Sequence, residues 1–192
     1  GGGIISISGT KPGMIVYSDG SITSDVVAGK TPVGVVAYVN GTIRFMVALE
    51  ESSSTLKWGP TGTNLSCLAD YGSVDAAKTD MIGLTNTRCI ASQSGDYPAA
   101  KYCSGYKPVS SGTGSNGWYL PAAGELYVIK DTFAAVNYAL QRLSKTLVSS
   151  NYYWSSSEYT TSSSAWTVRP SAGSMTSNLK SNASSVRCVL AF

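Results

Sequence analysis

The chain has 192 residues, with 14 Lys or Arg, 11 Asp or Glu and no His, for a formal net charge of +3. That length fits one domain able to bury most of the surface its unfolded form exposes, and a slight positive charge without any basic run excludes a nucleic-acid partner. The absence of histidine removes the usual general base, the usual zinc ligand and the Ser-His-Asp arrangement together.

Charged residues make up only 13% of the chain, and tyrosine (12 copies) outnumbers phenylalanine (3 copies), a balance commoner in extracellular β-rich domains than in cytosolic enzymes. No hydrophobic run is long enough to span a membrane. Gly1-Gly2-Gly3 reads as a processed end, compatible with the earlier removal of an export signal.

Residues 1–50 read as N-terminal strands of a single domain covering 1–192. "MIVYSDG" predicts a short strand ending at Asp19-Gly20. "VGVVAYV" (33–39) and "TIRFMVAL" (42–49) are rich in branched and aromatic residues and flank Asn40-Gly41, the dipeptide best suited to a type I′ turn, so they predict a β-hairpin. From 52 to 117 the pattern is irregular. A short helix is expected in "TDMIGLTNTRCIASQ", with Thr79 or Asp80 as N-cap, and another helical turn or two in "YPAAKYC". "GTGSNG" (112–117) has the form G-x-G-x-x-G but follows no strand and opens no helix, so it reads as a flexible loop.

The most helical stretch is 120–147. Phe133, Val136, Leu140, Leu143 and Leu147 form one apolar stripe, Asp131 or Thr132 can cap its start, and Pro121 suits a first helical turn. The four cysteines, Cys67, Cys89, Cys103 and Cys188, form no C-x-x-C pair, which argues against a zinc ribbon or a thioredoxin-type site. Two disulfides and four small buried thiols both fit the spacing.

The segment 153–192 combines C-terminal strands with a polar surface. Serine-rich composition alone predicts disorder, yet Trp166 and Val168 alternate with Thr167 and Arg169, and Val186, Cys188 and Leu190 alternate with Arg187, Val189 and Ala191, the period of a strand. The first residues of each set point into a core; the others point outward or lie in loops at 159–164 and 176–185. This predicts a fixed frame carrying a permissive polar face. Ser155-Ser156-Ser157 has no histidine, and downstream no lysine before Lys180, to activate a nucleophile. No catalytic residue is assigned.

"GWYLPAAGEL" (117–126), "YWSSSEY" (153–159), "AWTV" (165–168) and "VRCVLAF" (186–192) together resemble a bacterial and phage family with the C-type lectin fold. The likeness is strongest to the variable proteins diversified by retroelements in gut Bacteroidetes and their phages. It extends to "YSDG" (17–20), "KTPVGVVAYV" (30–39) and "KWG" (57–59). The resemblance implies an α+β C-type lectin-like fold with an N-terminal β-hairpin, two or more helices, and C-terminal strands with long loops. In that family a reverse transcriptase copies a template with errors at adenines, and the copy replaces the 3′ end of the gene.

The resemblance therefore implies ligand-binding positions at Tyr159, Thr160, Thr161, Ser162, Ser163, Ser164, Thr167, Arg169, Ser171, Ala172, Ser174, Thr176, Ser177, Asn178, Leu179, Ser181, Asn182, Ala183, Ser184 and Ser185. Trp154, Trp166, Val168, Gly173 and 186–192 would be the frame. Tyr159 is the clearest aromatic anchor, with Tyr152 and Tyr153 beside it.

Formylglycine-generating enzymes share the fold and an "LPxxxE" helix similar to Leu120–Glu125, but they need a closely placed cysteine pair that is not evident here. The calcium motifs of sugar-binding C-type lectins do not occur, so no metal or other cofactor is implied. Glu125 and Glu158 are expected to hold loops by hydrogen bonds. The expected protein is a non-enzymatic binder of a protein or glycan ligand on a cell surface, located outside the cell on a bacterial surface or a phage virion. An invariant adhesive or structural tip module of a surface fibre is the alternative.

Overall fold

A computed structural model of the chain describes residues 9–41 and 43–192. Gly1-Gly2-Gly3, and Thr42 at the start of the second hairpin strand, lie outside them. The branched and aromatic runs form β3 (Pro32–Asn40) and β4 (Ile43–Ala48), an antiparallel pair. Their turn falls one residue later than the Asn40-Gly41 dipeptide suggests: Asn40 pairs with Ile43, and of the two only Gly41 has a positive φ, 59°. Ahead of the hairpin, β1 (Ile15–Tyr17) turns at Gly20 (φ 85°) into β2 (Ile22–Thr23). The last strand, β11 (Val189–Ala191), pairs with β4, giving a five-stranded sheet in the order β11-β4-β3-β1-β2.

The segment between holds the remaining elements. β5 (Leu56–Lys57) pairs with β10 (Ala183–Ser184). A second sheet runs β6 (Asp70–Tyr71), β7 (Tyr153–Tyr159), β8 (Ser164–Arg169), β9 (Ser174–Leu179), with β6 parallel to β7 and the others antiparallel. Five α-helices lie among the described residues: α1 (Val74–Ala77), α2 (Gly83–Ala91), α3 (Pro98–Ser104), α4 (Ala123–Val128) and α5 (Phe133–Arg142). The α+β class expected from the sequence is the one observed, and it is compatible with a C-type lectin-like fold.

The main sheet is buried on two sides. On one face of the main sheet, Ile15, Val35, Phe45, Val47 and Val189 pack with Leu126 of α4 and Val136 and Leu140 of α5. On the other, Val16, Val36, Met46 and Leu190 pack with Ile90 of α2, Ala99 and Cys103 of α3, and Trp58, Trp118 and Trp154. The terminal strand therefore does not alternate core and solvent. Arg187 and Val189, expected to face outward, are buried, because "VRCVLAF" lies between two cores instead of on one. Arg187 is satisfied there by donating to the carbonyls of Ala48 (2.9 Å) and Thr146 (2.7 Å).

Several local expectations are corrected. The helix expected from Thr79 or Asp80 begins at Gly83, because Asp80 is buried and accepts from the Ile82 N–H and the Asn86 amide. The 120–147 stretch is two helices joined by a 3-10 turn at Ile129–Asp131, with Pro121 ahead of the first. Thr132 precedes α5 but does not cap it; its hydroxyl donates to the Ala37 carbonyl at 2.6 Å, anchoring the helix to β3. The apolar stripe ends early: α5 stops at Arg142, Ser144 takes φ 55°, and Leu147 is 46% exposed. Within the region assigned to a 176–185 loop, residues to Leu179 belong to β9. The 112–117 segment is a loop, held by the Trp118 indole donating to the Gly114 carbonyl at 2.7 Å.

The cysteines resolve as two disulfides, Cys67–Cys89 and Cys103–Cys188. The second joins α3 to the residue just before β11, across 85 positions of sequence.

Candidate functional site

The frame begins with β7. From Tyr153 to Glu158 every residue is buried, which a polar run can accept only if each hydroxyl finds a partner. Ser155 Oγ donates to the Trp166 carbonyl (2.7 Å), Ser157 Oγ to Asp80 Oδ2 (2.7 Å), and Ser156 Oγ accepts from the Asn86 amide (3.4 Å). The three serines bind α2, its leading loop and β8 to the strand. The Trp58 indole N–H donates to the Ser155 carbonyl at 2.9 Å.

Glu158 ends this run at full burial and forms an ion pair with Lys180, also 0% exposed, at 2.8 Å. Glu158 Oε1 accepts from the Leu65 N–H (2.9 Å). Lys180 Nζ donates further to the carbonyls of Thr63 (2.9 Å) and Ser162 (3.1 Å) and lies 4.9 Å from the Trp58 ring centre. Burial pushes the Glu158 carboxyl up, and Lys180 acts against that shift. One lysine thus ties the 57–65 segment, the β7–β8 turn and the end of β9 to a single carboxylate. Glu125 plays a comparable part deeper in the fold. Its Oε1 accepts from Gly83 N–H (2.8 Å) and Ala122 N–H (3.0 Å), and its Oε2 from the Tyr119 hydroxyl (2.8 Å). Burial raises its pKa to about 7. Both glutamates hold loops by hydrogen bonds, as the sequence suggested. Among the described residues no group of three or more His, Cys, Asp and Glu side chains is placed to hold a metal ion.

The twenty expected ligand-binding residues divide by exposure. Thr160, Thr161, Ser162, Ala172, Ser174, Thr176, Ser177, Leu179, Ser181, Asn182 and Ala183 are exposed, while Tyr159, Ser163, Arg169, Ser171, Asn178 and Ser185 are half-buried. Ser164, Thr167 and Ser184 are buried. Thr167 sits on β8 between neighbouring strands and donates its hydroxyl to the Thr176 carbonyl at 3.0 Å, so it belongs to the frame. Tyr159 packs edge-on against Trp166, ring centres 5.2 Å apart. Tyr153, expected beside it on the surface, is fully buried and donates its hydroxyl to Glu51 at 2.7 Å. Tyr152 is half-buried, with the Arg169 guanidinium 4.7 Å from its ring centre.

Strand pairing brings most of these residues together. Six consecutive pairs from Ser164↔Leu179 to Arg169↔Ser174 place β8 beside β9. The two ends of this hairpin are separate. Residues 160–163 and 180–185 gather at one end, and Ser171 and Ala172 lie at the other, about 20 Å away along a six-residue strand.

The segment 57–64 also reaches the first end, although no ligand-binding role was read into it. Lys57 pairs with Ala183, the Gly62 N–H donates to the Ser162 carbonyl (3.2 Å), and the Asn64 amide approaches the Thr160 carbonyl (3.3 Å). Lys57, Gly59, Pro60, Thr61, Asp96 and Ser181 line an open cleft of about 310 Å³ there. The "KWG" block was the only sequence signal for this neighbour.

No helix among the described residues is long and apolar enough to cross a membrane. Comparison with curated proteins gives no match. The family model of the Lcl C-terminal domain matches residues 49–190, the span from the end of β4 to β11. The chain belongs to the Lcl C-terminal domain family, a C-type lectin-like family linked to retroelement-diversified variable proteins.

Proposed function

We propose that this chain is a ligand-recognition protein of the retroelement-diversified type, with residues 159–185 as its variable face. The observation that carries this reading is the division of that segment. Solvent reaches most of its small polar residues, while Ser164, Thr167 and Ser184 and the interleaved Trp166, Val168 and Lys180 are buried. A surface whose side chains can be exchanged without opening the core is what adenine-directed diversification requires. The reading is of recognition without chemistry, and the missing histidine and the sealed Ser155–Ser157 run favour it. Two disulfides favour an oxidising location outside the cell, on a bacterial surface or a virion. The ligand is a protein or glycan of a cell surface.

Interface energy concentrates in buried Tyr, Trp and Arg, and this copy offers only Tyr159 and Arg169 of those types on the face. Its monovalent binding is weak, and multivalent display supplies avidity. Micromolar or tighter monovalent binding that survived Tyr159→Ala and Arg169→Ala together would contradict this. The primary test is deep sequencing of the gene's 3′ end in a growing population. Substitutions at adenine sites in the codons of 159–185, with Trp154, Trp166 and 186–192 unchanged, are expected. A clonal 3′ end would instead favour the invariant adhesive tip module.

A further inference from the structure

The outer edge of β9 distinguishes it from every other sheet edge among the described residues. β2, β5, β6 and β10 have two residues each and β11 has three, and short edges protect a fold against unwanted strand pairing. β9 is six residues long and runs in continuous register with β8 without a bulge. It contains no charged residue and no proline, and is exposed or half-exposed throughout. None of the usual guards of an edge strand is present.

The backbone parity of this edge is fixed. Lys180 N–H donates to the Ser163 carbonyl at 2.8 Å, so alternation directs the N–H and C=O groups of 174, 176 and 178 toward β8 and those of 175, 177 and 179 away from it. Leu179 is closed off: its N–H donates to Asn178 Oδ1 (2.9 Å) and its carbonyl accepts from Asn182 N–H (2.9 Å). Met175 and Ser177 carry the outward groups, the Ser177 carbonyl also accepting from the exposed Thr176 hydroxyl at 3.3 Å. On the same face as Ser177, Met175 is half-buried and Leu179 is 47% exposed, which gives two apolar contacts flanking a serine.

The geometry points to strand addition: an extended peptide segment of a partner protein pairs with β9 through Met175 and Ser177 and lays apolar side chains over Met175 and Leu179. A second copy of β9 is the weaker occupant. Two such six-residue edges, with only Met175 and Leu179 as apolar side chains, would bury far less than the roughly 1,000 Å² a stable dimer interface needs. The inference rests on the reading of 159–185 as a recognition face. It adds a mechanism: main-chain hydrogen bonds are the same in every variant, so diversification can change selectivity while a common mode of capture persists.

The test uses a displayed library of linear peptides with alternating apolar and polar positions, selected on the intact chain. Bound peptide is expected to slow amide exchange at Met175 and Ser177. Ser177→Pro deletes an outward N–H without touching the β8 ladder, and should weaken a selected peptide about tenfold, while Ser177→Ala changes it less than about twofold. Retained protection of the Thr176 and Asn178 amides certifies that the Ser177→Pro strand is folded. Equal binding by Ser177→Pro and Ser177→Ala, unchanged exchange at Met175 and Ser177, or a library that yields no binder would overturn the proposal. Concentration-dependent dimers abolished by Ser177→Pro would overturn the peptide as occupant. If binders survive Ser177→Pro but are lost when exposed side chains of 160–162 and 181–183 are exchanged, strand addition fails and the recognition face stands. Binders indifferent to both changes would instead remove the recognition face.

Discussion

Lys180 lies inside the proposed variable segment and yet is the least replaceable residue in it. Lys180→Met keeps the length and the contact with Trp58 but deletes the ammonium. That leaves the Glu158 carboxylate buried without its counter-charge and the Thr63 carbonyl without the lysine donor, while the Ser162 carbonyl keeps only the Gly62 N–H. Breaking a buried pair from one side costs about 3–5 kcal/mol, a large share of the 5–15 kcal/mol that typically holds a domain together. Glu158 has one escape, which is to protonate. Burial already raises its pKa, and Lys180 opposes that, so the variant's carboxyl titrates higher still and its penalty shrinks as pH falls. Urea unfolding at neutral and mildly acidic pH measures both effects. Lys180→Met should lose most stability at neutral pH, and adding Glu158→Gln should restore at least about 1 kcal/mol through the coupling between the two sites. A loss below about 1 kcal/mol, the size of an exposed pair, with additive effects in the double variant, would refute the assignment of Lys180 to the frame.

Glu125 sets a second pH dependence. Its pKa rises from 4.5 to about 7 on folding, so the folded state holds a proton that the unfolded state has released. Stability is full below about pH 4.5 and falls as pH rises toward 7, by about 3 kcal/mol in all. Glu125→Gln keeps the acceptor for Gly83 and Ala122 and should flatten that slope, leaving a residual one of the same sign from Glu158; an unchanged slope in urea midpoints would count against it. The disulfides should differ in worth, since closing 85 positions removes about 4.5 kcal/mol of unfolded-chain entropy and closing 22 about 3. Urea unfolding of Cys103→Ala/Cys188→Ala should show the larger loss than Cys67→Ala/Cys89→Ala. Thr167→Arg should destabilise strongly, because the site is fully buried between strands and would receive an unpaired charge. Normal expression and melting of that variant would return Thr167 to the display.

The sequence disclosed the hairpin, the helical regions and the alternation of Trp166 and Val168 because each of those signals is local. It misjudged whatever depends on a second layer. Arg187 and Val189 read as outward on a one-sided strand, yet β11 has a core on both faces. Ser155–Ser157 read as a polar run, and only their partners in α2, β8 and the loop before α2 explain why three serines are buried in succession. Lys180 offered no signal beyond being a lone cation among small polar residues; its partner Glu158 is 22 residues away and its other contacts lie near 60. The separation of Ser171 and Ala172 from the main group follows from hairpin geometry that composition does not contain.

These layers bear directly on how the proposed variable face can exist. Most substitutions destabilise, commonly by 0.5–3 kcal/mol, so a segment replaced at many positions at once needs a scaffold whose stability does not depend on them. Here the stabilising contacts are drawn from elsewhere: a main sheet buried on both faces, a hydrogen-bonded serine run tied to Trp58 and Trp166, and a disulfide fixing the residue before the last strand. Where the proposed variable segment must still be held, the fold uses few points of attachment, each buried. Trp166 donates its indole N–H to the Tyr71 carbonyl at 3.0 Å, and Lys180 binds Glu158. Between those points the chain carries mainly short polar side chains with few interior partners, so exchanging them would alter the proposed recognition face and leave the attachments in place.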